Sequence, residues 1–149
     1  MACSGQSFEF RGYTTKAGCG DIVAAESKYG TVSRVSREEV PKLGKAEITE
    51  LSVKLFGRSA TAKVACFAGG IVDVYYTVPG STESGAQSSF EWLSGELRKE
   101  FGPWIEESGT TGRIRTFVCG VPATVRLAED TTGSTSQATL VVVPRPSVC

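Results

Sequence analysis

The chain of 149 residues contains no histidine and no asparagine. Histidine is the side chain whose unperturbed pKa lies near neutrality, so it serves most often as catalytic base, proton shuttle and metal ligand. Its absence excludes Ser-His-Asp and Cys-His catalytic pairs and every metal site that depends on histidine. Without asparagine the chain has no acceptor for N-glycosylation.

An excess of charge and long apolar runs are also absent. Sixteen basic residues balance sixteen acidic residues, so the formal net charge is zero. Because nucleic-acid binders neutralise phosphates with a net basic surface, we expect no nucleic-acid partner. No run approaches the roughly 18 apolar residues that cross a bilayer, and the first residues lack the basic and apolar regions of a signal peptide. We therefore expect a soluble chain with no membrane partner. The sequence does not indicate its cellular compartment.

The cysteines are too few for a disulfide scaffold and form no C-x-x-C pair, so no metal site and no cofactor are expected. Cys66 and Cys119 fall in predicted strands, where they are either small buried side chains or a disulfide between packed strands. Cys19 lies between two glycines and is a candidate reactive thiol. The five positions are Cys3, Cys19, Cys66, Cys119 and Cys149.

The length fits a single domain over residues 1–149. Its first 20 residues are glycine-rich and predict an arm that can be extended, and residues 144–149 predict a short proline-rich tail. Residues 22–26 and 31–35 each predict a short strand. A capping-box pattern at Ser36–Glu39 predicts a single helical turn. We find no internal repeat.

The middle of the chain carries the clearest pattern. Apolar and polar residues alternate with a period of two through three runs between residues 46 and 78, and short turns join the runs. This pattern predicts an antiparallel meander with one covered face.

A helix is predicted at about residues 88–102. Phe90, Leu93, Leu97 and Phe101 recur at steps of three and four, which is the amphipathic pattern, and Gly102-Pro103 should end the helix. Trp104 and Ile105 are predicted to fold back as a capping turn. Trp92 lies off the apolar stripe, and Gly95 in the helix interior predicts a close approach by another backbone. Both are candidate interface residues.

Closing strands are predicted within residues 113–143. With the meander and one long helix they give an α+β fold with antiparallel sheets. Arg113, Arg115 and Phe117 share one face of a strand and, with Arg126, predict a basic strip on the outer face of the sheet. The strip is a third candidate interface, and cross-strand pairs with glutamates are its alternative.

Two further groups of residues are candidate sites. Gly80 and Gly85 flank a loop before the helix, a geometry that can hold an anion, although the lysine of a nucleotide site is missing. Asp73 lies within a strand and should face away from the core, beside Tyr75. No pair of residues predicts a catalytic centre.

Three functions are consistent with these observations. The first is a non-enzymatic structural or interaction protein that acts by association with copies of itself or with a protein partner. The order of strands, helix and closing hairpin resembles the tube and coat-type subunits of viral particles, which implies a subunit of a larger assembly. The second is a secreted or surface module that binds a protein or a carbohydrate. The third is an enzyme that uses Asp73, Glu129 or Cys19 in a deep pocket.

Overall fold

The computed structural model describes residues 8–42, 44–79, 83–117, 123–131 and 137–144. Within these residues the chain forms ten strands and two helices. In chain order they are β1 Glu9–Phe10, β2 Tyr13–Thr14, α1 Cys19–Glu26, β3 Gly30–Val40, β4 Gly44–Leu55, β5 Arg58–Phe67, β6 Val72–Pro79, α2 Glu83–Phe101, β7 Ile105–Ser108, β8 Arg113–Thr116, β9 Ala123–Asp130 and β10 Gln137–Pro144.

Eight strands form one antiparallel sheet in the order β3-β4-β5-β6-β10-β9-β8-β7. The chain therefore builds the sheet from two halves with the same order of elements, since α1 precedes β3 to β6 and α2 precedes β7 to β10. The fourth strands of the halves pair at the centre, where Tyr76 lies opposite Leu140. The two halves share this order of elements, although the sequence shows no repeat. The α+β class and the antiparallel meander are confirmed.

One face of the sheet carries the main hydrophobic core, and we call it the inner face. Helix α2 packs on β6, β9 and β10, and α1 packs on β4 and β5. Tyr76, Leu127 and Leu140 of the sheet are fully buried beneath these helices. Each such side chain contributes about 1.5–3 kcal/mol on burial. The opposite face is called the outer face.

Helix α2 buries Phe90, Leu93 and Leu97 completely, because residues spaced by three and four share one side of a helix. It ends at Phe101, where the amide of Gly102 donates a hydrogen bond of 2.8 Å to the carbonyl of Arg98. Gly102 has a φ of +86°, a conformation that glycine adopts without strain. The helix begins at Glu83, five residues before the predicted start.

The prediction of a single helix was wrong, because residues 19–26 form α1 where a strand was predicted. The carboxylate of Asp21 accepts a hydrogen bond of 3.0 Å from the amide of Gly18 and caps the first turn. Ile22, Ala25 and Glu26 are buried on one side of the helix. Residues 8–14, within the predicted arm, form the β1–β2 hairpin, which adds Phe8, Phe10 and Tyr13 to the core.

Two predicted turns are strands. β3 continues through residues 36–39, where Glu38 pairs with Ala46 and Glu39 with Lys45, since pairing with β4 supplies the backbone hydrogen bonds that a capping box would offer. Residues 105–108 form β7, which pairs with β8, instead of a capping turn after α2.

Candidate functional site

A cluster of arginines and glutamates lies between α2 and strands β7, β8 and β9. Arg115 is 6% exposed, and its Nε donates a hydrogen bond of 2.7 Å to Glu106. Its Nη2 lies 2.9 Å from Glu91, and its Nη1 donates a hydrogen bond of 2.9 Å to the hydroxyl of Ser94. The guanidinium is therefore held on three sides by α2 and β7.

Aromatic rings enclose the same guanidinium. The Cζ atom of Arg115 lies 4.4 Å from the ring centre of Trp104 and 4.6 Å from that of Phe90. A planar cation between two rings gains cation–π attraction in addition to its ion pairs. This arrangement joins the middle of α2, and Trp104 beyond its end, to strand β8.

The second arginine of the cluster, Arg113, pairs with the buried Glu129. Its Nε donates a hydrogen bond of 2.7 Å and its backbone amide one of 3.0 Å to Oε1 of that carboxylate. Burial opposes ionisation of Glu129, but the hydrogen bonds and the charge of Arg113 prevail and hold its pKa below the usual value. The same hydrogen bonding, against the cost of desolvation, raises the pKa of Arg113.

These contacts correct the predicted basic strip. Arg113 and Arg115 point toward α2 on the inner face and are paired with glutamates, and Phe117 is 2% exposed beside Trp104. The period-two alternation correctly placed Arg113, Arg115 and Phe117 on one face of the strand. That face was predicted to be exposed to solvent, but α2 covers it. Of the four residues of the predicted strip, Arg126 is the one that is exposed on the outer face.

A second buried polar cluster lies beneath the β1–β2 hairpin, and no pattern in the sequence predicted it. Glu26 is fully buried and pairs with Arg11 at 2.8 Å. The hydroxyl of Tyr76 also donates to Glu26 and lies 2.8 Å from the hydroxyl of Tyr13. Burial raises the pKa of both tyrosines. Arg11 stacks over the ring of Tyr29 at 3.8 Å, so the cluster ties the hairpin, α1 and β6 together.

The predicted thiol chemistry is also corrected. Cys19, the first residue of α1, forms a disulfide with Cys66 of β5, with 5.8 Å between their Cα atoms. Cys66 is therefore not available to Cys119, which lies outside the described residues. The bond joins two elements already in contact, because α1 packs on β5.

The remaining candidates lie apart from one another. Trp92 is half-buried, with its ring edge-to-face against Phe56 and the guanidinium of Arg58 at 4.0 Å above it. A Cβ added at Gly95 would have no described atom within 4 Å, so no backbone in the described part of the chain packs closely against it. Gly85 lies inside α2, not in a loop before it, and Gly80 lies outside the described residues.

The outer face is a surface on which no described helix packs, and Ala46, Ala65 and Phe67 form a small buried cluster there. Its half-exposed side chains form rows across the strands, and one row begins with five hydroxyl residues. In sheet order that row contains Thr31, Ser52, Thr61, Thr77, Thr139, Ala128, Ile114 and Glu107.

Asp73 lies on this outer face, as its position in the strand predicts. The hydroxyl of Tyr75 donates a hydrogen bond of 3.2 Å to Oδ2 of Asp73. The other carboxylate oxygen, Oδ1, is buried and has no hydrogen-bond partner within the described part of the chain. Burial, together with the neighbouring carboxylate, raises the pKa of Tyr75. The pair places an aromatic ring on this face, while the unpartnered oxygen of Asp73 lies beneath the surface.

Strand β3 is one edge of the sheet, and no described strand pairs with its far side. Val32 and Val35 are 48% and 59% exposed there. A groove of about 550 Å³ lies beside this edge and is lined mainly by charged residues. They are Arg37, Glu38, Glu39, Lys45 and Glu47, together with Ala46 and Cys66.

In the described ranges no three acidic or cysteine side chains are arranged to hold a metal ion. Neither of the two described helices is long and apolar enough to pass through a bilayer. Comparison of the chain with protein-family models, with curated proteins and with solved structures gave no match.

Proposed function

We propose that this protein acts by association, as a structural or interaction subunit whose contact surfaces are the outer face and the free edge of β3. The proposal is supported mainly by the unequal cover of the two faces of the sheet. Both described helices and the β1–β2 hairpin cover the inner face, whereas no described helix packs on the outer face, where Ala46, Ala65 and Phe67 form a small buried cluster. As far as the described residues show, the rest of the outer face is open to another chain.

The engagement of the chemically active side chains supports the same function. Glu129 is bound by Arg113, Glu26 by Arg11 and Tyr76, and the sulfur of Cys19 by Cys66. Each of these groups stabilises a contact between elements of the fold. A catalytic carboxylate or thiol would instead need to reach a substrate.

The net charge of zero favours association as well, because like molecules then repel one another little. The outer face combines a hydroxyl row with half-exposed apolar side chains, among them Val141 and Ile114. Such a mixed surface is typical of non-obligate interfaces, whose apolar fraction is close to that of the protein surface as a whole.

Sedimentation velocity of the full chain, from the low to the high micromolar range, tests the proposal. We expect the weight-average mass of the wild type to rise with concentration. If the outer face is the contact, Thr77→Arg, at the centre of that face, should lower the weight-average mass at each concentration. Thr110→Arg, in an exposed loop, is the matched control. A monomer at every concentration contradicts the proposal, as does association that outer-face and β3 variants all leave unchanged.

The disulfide favours a second candidate, a secreted or surface module that binds a protein or a carbohydrate. Disulfides persist in oxidising compartments, and one is present between Cys19 and Cys66. The half-buried ring of Tyr75 would then contact the ligand on the outer face. Intact mass with and without reduction before alkylation tests this candidate: a second disulfide favours it, and free thiols at every cysteine but these two count against it.

A further inference from the structure

We propose that a second copy of this chain pairs with the free edge of β3, antiparallel and centred on Ser36, so that two eight-stranded sheets become one continuous sheet. This inference rests on the proposed function and names both the partner and the contact. The assembly is a closed dimer with a two-fold axis through the pair of Ser36 residues.

The edge is long enough and regular enough for such pairing. β3 has 11 residues, and a bulge interrupts its register with β4 only between Val32 and Arg34. From Arg34 to Val40 every residue pairs in sequence with β4. The far side of this segment presents a row of backbone donors and acceptors, which is a template for another strand.

The charged side chains of β3 favour a second copy as the partner and a register centred on Ser36. In an antiparallel pair centred on Ser36, Arg34 of each copy lies opposite Glu38 of the other, which gives two reciprocal pairs of opposite charge. Both residues lie on the outer face, since their β4 partners Glu50 and Ala46 lie there. Neither Arg34 nor Glu38 forms an ion pair within the described part of the chain. The second copy supplies the missing partner of each.

Neighbouring registers are less favourable. Because opposite residues must share a face of the sheet, the two-fold axis passes through a residue and not between two residues. An axis at Arg34 or Arg37 places an arginine opposite itself, and an axis at Glu38 places two glutamates face to face. An axis at Val35 places Arg34 opposite Ser36 and pairs no opposite charges.

The other edge of the sheet is a poorer contact. β7 has only four residues, and two of them are the adjacent glutamates Glu106 and Glu107. Two copies of β7 would bring these acids together. Pairing of β3 with β7 of a second copy is heterologous and leaves free edges, which gives open polymers instead of a closed dimer.

Sedimentation velocity of four full-length proteins tests the register: the wild type, Arg34→Glu, Glu38→Arg and the double variant Arg34→Glu/Glu38→Arg. Each single change turns both reciprocal pairs into like-charge pairs, and we expect it to weaken the dimer about tenfold or more. The double variant exchanges the charges and should restore the dimer constant to within about threefold. Lys99→Glu, which replaces a basic by an acidic side chain at an exposed position of α2, is the control and should leave the dimer unchanged. Circular dichroism verifies that each variant is folded.

The outcomes separate this inference from the function on which it rests. If the wild type remains a monomer, both fail. If the wild type associates but the double variant does not recover, or if the product is a polymer larger than a dimer, the β3 contact is overturned and association through another surface stands.

Discussion

The hydroxyl of Tyr76 in β6 donates a hydrogen bond to the carboxylate of Glu26 in α1, and both side chains are fully buried. The contact joins residues 50 positions apart and lies where the first helix meets the sheet. Arg11 neutralises the carboxylate from the tip of the hairpin. The ion pair with Arg11 and the hydrogen bond from Tyr76 offset the cost of burying the Glu26 carboxylate. Loss of either partner would leave a buried polar group without that compensation and destabilise the fold.

Alkaline titration should separate the buried tyrosines from the others. Burial raises the pKa of Tyr13 and Tyr76 above the usual value near 10. The folded protein then retains protons that the unfolded chain loses, so the free energy of unfolding should fall as the pH rises above about 10. Tyrosinate absorbance should show a late phase that coincides with unfolding, and Tyr13→Phe should reduce its amplitude. Complete ionisation of all four tyrosines in the folded protein would contradict the burial.

Glu129→Gln should destabilise the fold near neutral pH by about 1–3 kcal/mol, because it removes charged hydrogen bonds to Arg113. The pKa of Glu129 is lower in the folded state, so its contribution is present above about pH 4.3 and is lost as the pH falls through the folded value. Urea unfolding near neutrality and in stronger acid checks this. A difference between variant and wild type that does not shrink in acid would contradict the assigned ion pair.

The disulfide should contribute strongly to stability, because it closes a segment of 47 residues. A loop of this length corresponds to about 4 kcal/mol in the chain-entropy account, and measured values are often lower. Cys19→Ser/Cys66→Ser should therefore lose about 2–4 kcal/mol. Reducing agent should destabilise the wild type by a similar amount and leave the double variant unchanged. Equal sensitivity of both proteins to reductant would show that the stabilising bond lies elsewhere.

Two glycines offer a matched test of local geometry. A Cβ at Gly95 meets no described atom within 4 Å, so Gly95→Ala should stabilise α2 by about 1 kcal/mol through helix propensity. A Cβ at Gly30 would lie 1.8 Å from the carbonyl oxygen of Ser52, so Gly30→Ala should shift β3 and destabilise the fold. Thermal melts of both variants give the comparison. A destabilised Gly95→Ala would instead support the close backbone approach that the sequence predicted.

The sheet could be predicted where local pattern and tertiary structure agree. Strands β4, β5 and β6 alternate in period two and turn at short loops, such as the Phe56-Gly57 turn, in which both φ angles are positive. In the segment of α1 the local sequence pattern did not indicate the observed structure. Gly18 and Gly20 interrupt any short helical pattern, so the helix depends on its packing against the sheet. In β3 the capping-box pattern competed with strand pairing, and long-range hydrogen bonds to β4 prevailed.

The candidate site was predicted only in part. Alternation correctly placed Arg113, Arg115 and Phe117 on one face, but which face the helix covers depends on topology that a single sequence does not reveal. The pairing of Arg11 with Glu26 joins a hairpin to a helix that was predicted as a strand, so no local signal identified it. The free edge of β3 was also not predicted, because four of its eleven residues, 36–39, were predicted to form a helical turn.

Sedimentation velocity of the charge-exchange series on β3 tests the central claim most directly. The account predicts a dimer in the wild type, a weaker dimer for Arg34→Glu and for Glu38→Arg, and recovery when both changes are combined. A wild-type chain that remains monomeric from low to high micromolar concentration would contradict it.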